Sequence, residues 1–189
     1  AAVCGGVGMF EQTVADLYER AVRLGGDRTA LTQGDRSMSY RQLGEDAARL
    51  ANAFVALGVG GGDRVAFLMA NCIEYVACEY AVARIGAVRV QLAVLLANPD
   101  HVYMMNFARC TTLVYHEKLA ARVLEMQPQL TTVRHYVCVA DEPGGVPAGH
   151  LHLQALLQAH DATPRTETID PESLAGIYFT GGTTGRPKG

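Results

Sequence analysis

The residues best equipped for chemistry are gathered at positions 180–189, Thr-Gly-Gly-Thr-Thr-Gly-Arg-Pro-Lys-Gly. Gly181, Gly182 and Gly185 let backbone N–H groups approach a ligand closely and adopt positive φ. Successive N–H groups in such a turn form a concave, partly positive nest for phosphate oxygens. Thr180, Thr183 and Thr184 add hydroxyl donors, and Lys188 adds a mobile full charge. Ordering the four glycines of 181–189 costs roughly 2–4 kcal/mol relative to alanine, a cost that points to function rather than scaffold. The spacing is not that of a Walker A loop, G-x-x-x-x-G-K-[ST], because Pro187 precedes the lysine and Gly189 follows it. Of sixteen basic residues only Lys118 and Lys188 are lysines, so this arginine-rich chain keeps a compact ammonium in the loop. An ammonium on a flexible stem follows a moving phosphate more freely than a rigid guanidinium fork.

The run Phe179 through Gly189 resembles the signature of the adenylate-forming (AMP-binding) superfamily, Y-T-S-G-T-T-G-x-P-K-G. Thr180, Gly182, Thr183, Thr184, Gly185, Pro187, Lys188 and Gly189 match it. Gly181 stands where serine is usual, which removes a hydroxyl and leaves the backbone donors. The Thr-Gly-Gly variant at 180–182 and the Thr183-Thr184 pair are similar to FadD-type fatty-acid–CoA ligases. Looser likeness to the N-terminal half of acyl-CoA synthetases runs through 27–31, the Ser39-Tyr40 helix start, 62–66 and 85–88.

Several elements must position this loop. Helical spacing is expected over 10–24, stopped by Gly25-Gly26. Residues 29–33 and 37–39 flank Gly34-Asp35 as a hairpin. Ser39 with Gln42 has the form of a capping box and opens a helix to about Leu57. The glycine turn at 60–63 leads into a buried strand over 65–69. A helix follows, capped from Asn71 and running to Ile85, then a strand over 87–91. Asn98-Pro99-Asp100 reads as a cap, an N1 proline and a first-turn acid for a helix to Arg109. Next come a strand at 112–115, a helix at 117–126, a strand at 135–139, a surface excursion at 141–149, a short helix at 150–160 and an extended connector. A final buried strand over 177–179 feeds the loop. Strand and helix in this alternation predict an α/β fold, parallel-sheet βαβ layers with right-handed crossovers.

Composition narrows the function. Hydrophobic content of 49% with 19% charged residues describes a globular chain. A net charge of −3 with scattered basic residues excludes a nucleic-acid footprint. No apolar run approaches the roughly 18 residues of a membrane span, which leaves peripheral membrane contact open. Cys4, Cys72, Cys78, Cys110 and Cys138, odd in number and irregular in spacing, predict reduced, mostly buried thiols, a cytoplasmic setting and no metal site. Residues 1–9 read as a flexible leader.

Other candidates yield to plainer readings. Gly58-Val59-Gly60 and Gly6-Val7-Gly8 begin like dinucleotide fingerprints but lack the third glycine. His150 and His152 are expected on a solvated surface, Glu74 and Glu79 exposed or capping, and Met104 and Met105 in the core.

The resemblance implies a two-step ligase. A carboxylate attacks the α-phosphate of ATP, giving an acyl-adenylate and pyrophosphate, and coenzyme A then displaces AMP. The loop would hold the β- and γ-phosphates, with Mg²⁺ carried by ATP. Lys188 would act as a charge clamp, and Thr183 or Thr184 would donate hydroxyls. The resemblance also implies that 10–189 is the N-terminal part of an adenylation domain whose remainder and C-terminal lid lie beyond Gly189. The 189-residue chain alone is then expected to be inactive, with oligomeric state open. Two further readings stand beside a fatty-acid–CoA ligase: another adenylate-former, acting on an amino acid or a carrier protein, or a non-catalytic nucleotide-binding module.

Overall fold

The computed structural model describes residues 12–165, 167–180 and 189. The helix expected first is α1, Val14–Gly25, opened by a reciprocal capping box in which the Thr13 hydroxyl accepts from the Asp16 amide and Asp16 accepts from the Thr13 amide. It ends where Gly26 takes a positive φ of 57°. The hairpin follows as β1, Thr29–Gln33, and β2, Arg36–Ser39, around Gly34 at φ 58°. Ser39 and Gln42 form the expected capping box of α2, Tyr40–Ala56.

The central sheet is built from β3, Arg64–Leu68, β4, Val88–Gln91, β5, Thr112–His116, β6, His135–Val139, β7, Leu151–His152, and β8, Gly176–Tyr178. Its order is β7-β6-β5-β3-β4-β8, with every pairing parallel. The connecting helices are α3, Ile73–Arg84, α4, Asn98–Phe107, α5, Ala120–Met126, and α6, Leu153–Ala159. Alternate residues of β3 serve two cores, which is why that strand reads as one apolar run. Val65 and Phe67 pack with α2, α3 and α6, while Ala66 and Leu68 pack with Met104 and Met105 of α4 and Val123 and Met126 of α5. The result is a doubly wound three-layer sandwich. The chain leaves β3 toward one face and β4 toward the other, so the topological switch point lies between them.

Several local expectations are corrected. Asn71 does not cap α3: Cys72 is the N-cap without a side-chain bond, and Gln33 Oε1 from β1 accepts the Ile73 amide instead. Ala97 rather than Asn98 caps α4, which places Asn98 in the first turn, where it bridges Glu125 and Arg122. The expected 117–126 helix begins with a 3₁₀ turn at Glu117–Leu119. The 150–160 helix is instead β7 followed by α6, because Leu151 and His152 pair with Val137 and Cys138 of β6. The last strand starts one residue earlier than expected and is less buried, since β8 lies at the sheet edge among the described residues and Tyr178 is exposed.

The turn at 60–63 is fastened as a strand entry should be: Gly60 donates to Asp63, and Gly62 has φ 80°. Arg64 then donates to the carbonyls of Ala108 and Arg109, tying the start of β3 to the end of α4. Cys78, Cys110 and Cys138 are buried free thiols and Cys72 is half-buried. Cys4 and the leader 1–9 lie outside the described residues.

Candidate functional site

All six strands point the same way, so their carboxyl ends share one edge, where open α/β sheets bind ligands. The signature leaves that edge from β8. Thr180 follows the strand and is exposed; Gly181, Gly182, Thr183, Thr184, Gly185 and Lys188 lie outside the described residues. Gly189 is described, and it comes back against the same strand. A Cβ built on it would stand 2.9 Å from the Phe179 ring and 3.0 Å from Ile177 Cγ2. The two residues that bracket the signature are therefore both held at the end of β8.

Beside β8, β4 delivers the loop 92–97 to the same edge. Leu92 is buried, whereas Leu95 at the tip is fully exposed. The loop is fixed from beneath by Arg122 of α5. Its guanidinium donates to Val94 O at 2.9 Å, to Leu96 O at 2.6 Å and to Asn98 Oδ1 at 2.8 Å. His101, fully buried in α4, bonds Ala93 O through Nε2 at 2.9 Å and turns Nδ1 toward Arg122 at 3.4 Å. That pattern requires the neutral tautomer with the proton on Nε2. Burial pushes the His101 pKa below its ordinary value, favouring the same form. Sequence reasoning missed both residues. Their partners come from separate elements, and no local spacing marks them.

Arg89 was also missed. It stands in the middle of β4, points toward α3 and pairs with Glu79, which is therefore no exposed or capping residue: its side chain is 12% exposed. The Arg89 guanidinium carbon lies 4.9 Å from the centre of the Tyr178 ring. A cavity of about 240 Å³ opens beside them, lined by Tyr18, Ile169, Pro171, Leu174 and the Glu79–Arg89 pair. It also touches Gly86, Ala87 and Ala175, residues that lead into β4 and β8, so it belongs to the amino end of these strands.

The remaining candidates are structural. Glu74 pairs with Arg36 of the hairpin. His150 is not solvated: it stacks on Tyr136 with ring centres 4.7 Å apart, accepts from the buried Tyr115 hydroxyl and faces Gln127. His152 bonds Ala140 O at 3.0 Å. Met104 and Met105 are core residues, as expected. Among the described residues no three metal-ligating side chains converge, and no helix is long and apolar enough to cross a membrane.

The signature is one part of a match that runs the length of the fold. The family model for AMP-binding enzymes matches residues 18–189. The chain belongs to the AMP-binding enzyme family. It is 30% identical to the crotonobetaine/carnitine–CoA ligase of Salmonella typhimurium (strain LT2), over 94% of this chain and 36% of that protein. Among solved structures it is similar to the anthranilate CoA ligase AuaEII in complex with anthranoyl-AMP, with TM-score 0.88 and 25% identity over 94% of this chain and 34% of that one. A putative long-chain-fatty-acid CoA ligase from Rhodopseudomonas palustris gives TM-score 0.81 and 26% identity, over 94% and 43%. The chain thus spans about a third of the length of the curated relatives it matches.

Proposed function

We propose that this chain supplies the nucleotide-phosphate grip of an ATP-dependent acid–thiol ligase. The observation that carries the reading is the signature itself, entering and leaving beside β8 on the carboxyl edge, next to β4 and the switch point. In the proposed reaction the substrate carboxylate attacks the α-phosphate of ATP, the bond to the β-phosphate breaks, and pyrophosphate leaves. The thiol of coenzyme A then attacks the acyl carbon and expels AMP. Backbone amides of Gly181, Gly182 and Gly185 act as fixed dipoles on the pyrophosphoryl oxygens. Hydroxyls of Thr180, Thr183 and Thr184 donate to the same oxygens, and Lys188 offsets the charge that grows on the leaving group. Mg²⁺ is proposed to arrive on the nucleotide. The catalytic unit is proposed to be an enzyme of the relatives' length, with this chain contributing the first part of its adenylation domain.

A fatty acid is the proposed substrate. The Thr-Gly-Gly variant at 180–182 and the likeness to the Rhodopseudomonas protein support it. The test is acid-dependent exchange of labelled pyrophosphate into ATP by the full-length enzyme, run against fatty, aryl and quaternary-ammonium acids. Exchange with fatty acids, followed by thioester formation only when coenzyme A is added, supports the reading. Exchange with amino acids alone, or transfer only to a carrier protein, would replace it with another adenylate-former.

A further inference from the structure

The strand that delivers the signature is poorly secured by the sheet. β8 has three residues and pairs only with β4, in the register Arg89 to Gly176, Val90 to Ile177 and Gln91 to Tyr178. The other edge of Gly176–Tyr178 is unpaired among the described residues and Thr180 beyond it forms a single bridge, so side chains contribute to where the strand ends. Phe179 does this on the α4 face, meeting Phe107 edge-to-face with ring centres 6.3 Å apart. On the α3 face the contact is Tyr178 over Arg89. Gly176 makes that contact fit: a Cβ there would sit 3.2 Å from Tyr178 Cε2, so the ring folds back across the glycine to reach the guanidinium.

Arg89 is a costly residue to keep in this place. A largely buried ion pair adds little net stability, and an apolar pair of the same volume often does as well or better. Pairing with Glu79 leaves the guanidinium face free for an aromatic ring, the geometry in which a cation is attracted to the ring quadrupole. Successive residues of a strand point to opposite faces, so locking Tyr178 down on one side and Phe179 on the other helps to set the course of the chain at Thr180.

We infer that Arg89, held by Glu79, is a positioning residue that orients the signature by clamping Tyr178 two residues before its first threonine. The inference rests on the ligase reading above and deepens it, because it names what aims the phosphate grip. Arg89 touches neither nucleotide nor acid in this role. Its loss should therefore lower kcat of pyrophosphate exchange while leaving KM for the acid in place.

The test uses the full-length enzyme and compares Tyr178→Phe, which keeps the ring face, with Tyr178→Leu, which keeps only the bulk. The charge-neutral double variant Arg89→Met/Glu79→Gln removes the cation without stranding its partner, and thermal melting of each variant reports folding. Tyr178→Phe should keep most of kcat. Tyr178→Leu and the double variant should each lower it roughly two- to fivefold, the range of a cation–π contact on an exposed ring. Tyr178→Leu placed on the double variant should add little, since both remove one contact. Equal kcat for Tyr178→Leu and wild type, or losses that simply multiply, would overturn the clamp while leaving the ligase reading intact. A wild-type enzyme without exchange activity would remove that reading, and the clamp with it.

Discussion

Replacing Arg122 by methionine keeps the aliphatic stem and removes the guanidinium that holds the 92–97 loop. Four acceptors lose their donor: Val94 O, Leu96 O, Asn98 Oδ1 and, at the longer distance of 3.4 Å, His101 Nδ1. Each intramolecular hydrogen bond contributes about 1 kcal/mol net, and more when the donor is charged. The site is half-buried, so water can reach some of the released carbonyls, and the upper end of the range does not apply. The expected destabilisation is about 2–4 kcal/mol. Arg122→Lys should fall between, because one ammonium cannot span acceptors on both sides of the loop. The loss should appear as a lower urea midpoint with an unchanged slope. Amide exchange should quicken most at Leu96 and at His101, whose amides donate to Ala93 O and Ala97 O. A midpoint within about 0.5 kcal/mol of wild type, or faster exchange spread evenly over the sheet, would refute the idea that Arg122 holds this loop.

Other outcomes follow from the same structure. Burial depresses the pKa of both His101 and His150, so the unfolded chain binds more protons below the ordinary histidine value of 6.5. Stability should be full above that pH and decline as pH falls through the window beneath it; a urea series from pH 7.5 to 5 checks this, and no decline in His101→Gln/His150→Gln should accompany it. Gly25→Ala would place a methyl 2.2 Å from the Tyr40 ring, where α1 meets α2, and should cost about 1–3 kcal/mol, read as a lower melting temperature. Burial raises all four described thiols, Cys110 to about 12, so access decides the order: a thiol reagent should label half-buried Cys72 ahead of buried Cys78, Cys110 and Cys138, with peptide mapping as the readout.

Much of this architecture was legible in residue order because its signals are local. Ser39 and Gln42 lie one turn apart, so the capping box that starts α2 is complete within four residues. The apolar run at 65–69 announced a strand buried on both faces, and β3 is one. Errors arose where the deciding partner is distant. Asn71 looked like a cap, but Gln33, forty residues earlier in sequence, takes the Ile73 amide. Leu151 and His152 looked helical by spacing, yet pairing with β6 draws them into the sheet. The signature was legible as chemistry because glycine, threonine and lysine are uncommon together at that spacing. Its supports were not: Arg89, Glu79, His101 and Arg122 acquire meaning only when β4, α3, α4 and α5 come together.

The most direct measurement is a titration of the isotope-labelled chain with pyrophosphate and with ATP, followed by amide chemical shifts. If the glycine amides of 181–189 form a phosphate cradle, saturable shifts should concentrate at Thr180–Gly189 and weaken in Lys188→Ala, while the excursion at 141–149 stays unmoved. Shifts absent from 180–189, or unchanged when Lys188 is removed, would contradict a phosphate-gripping role for the signature.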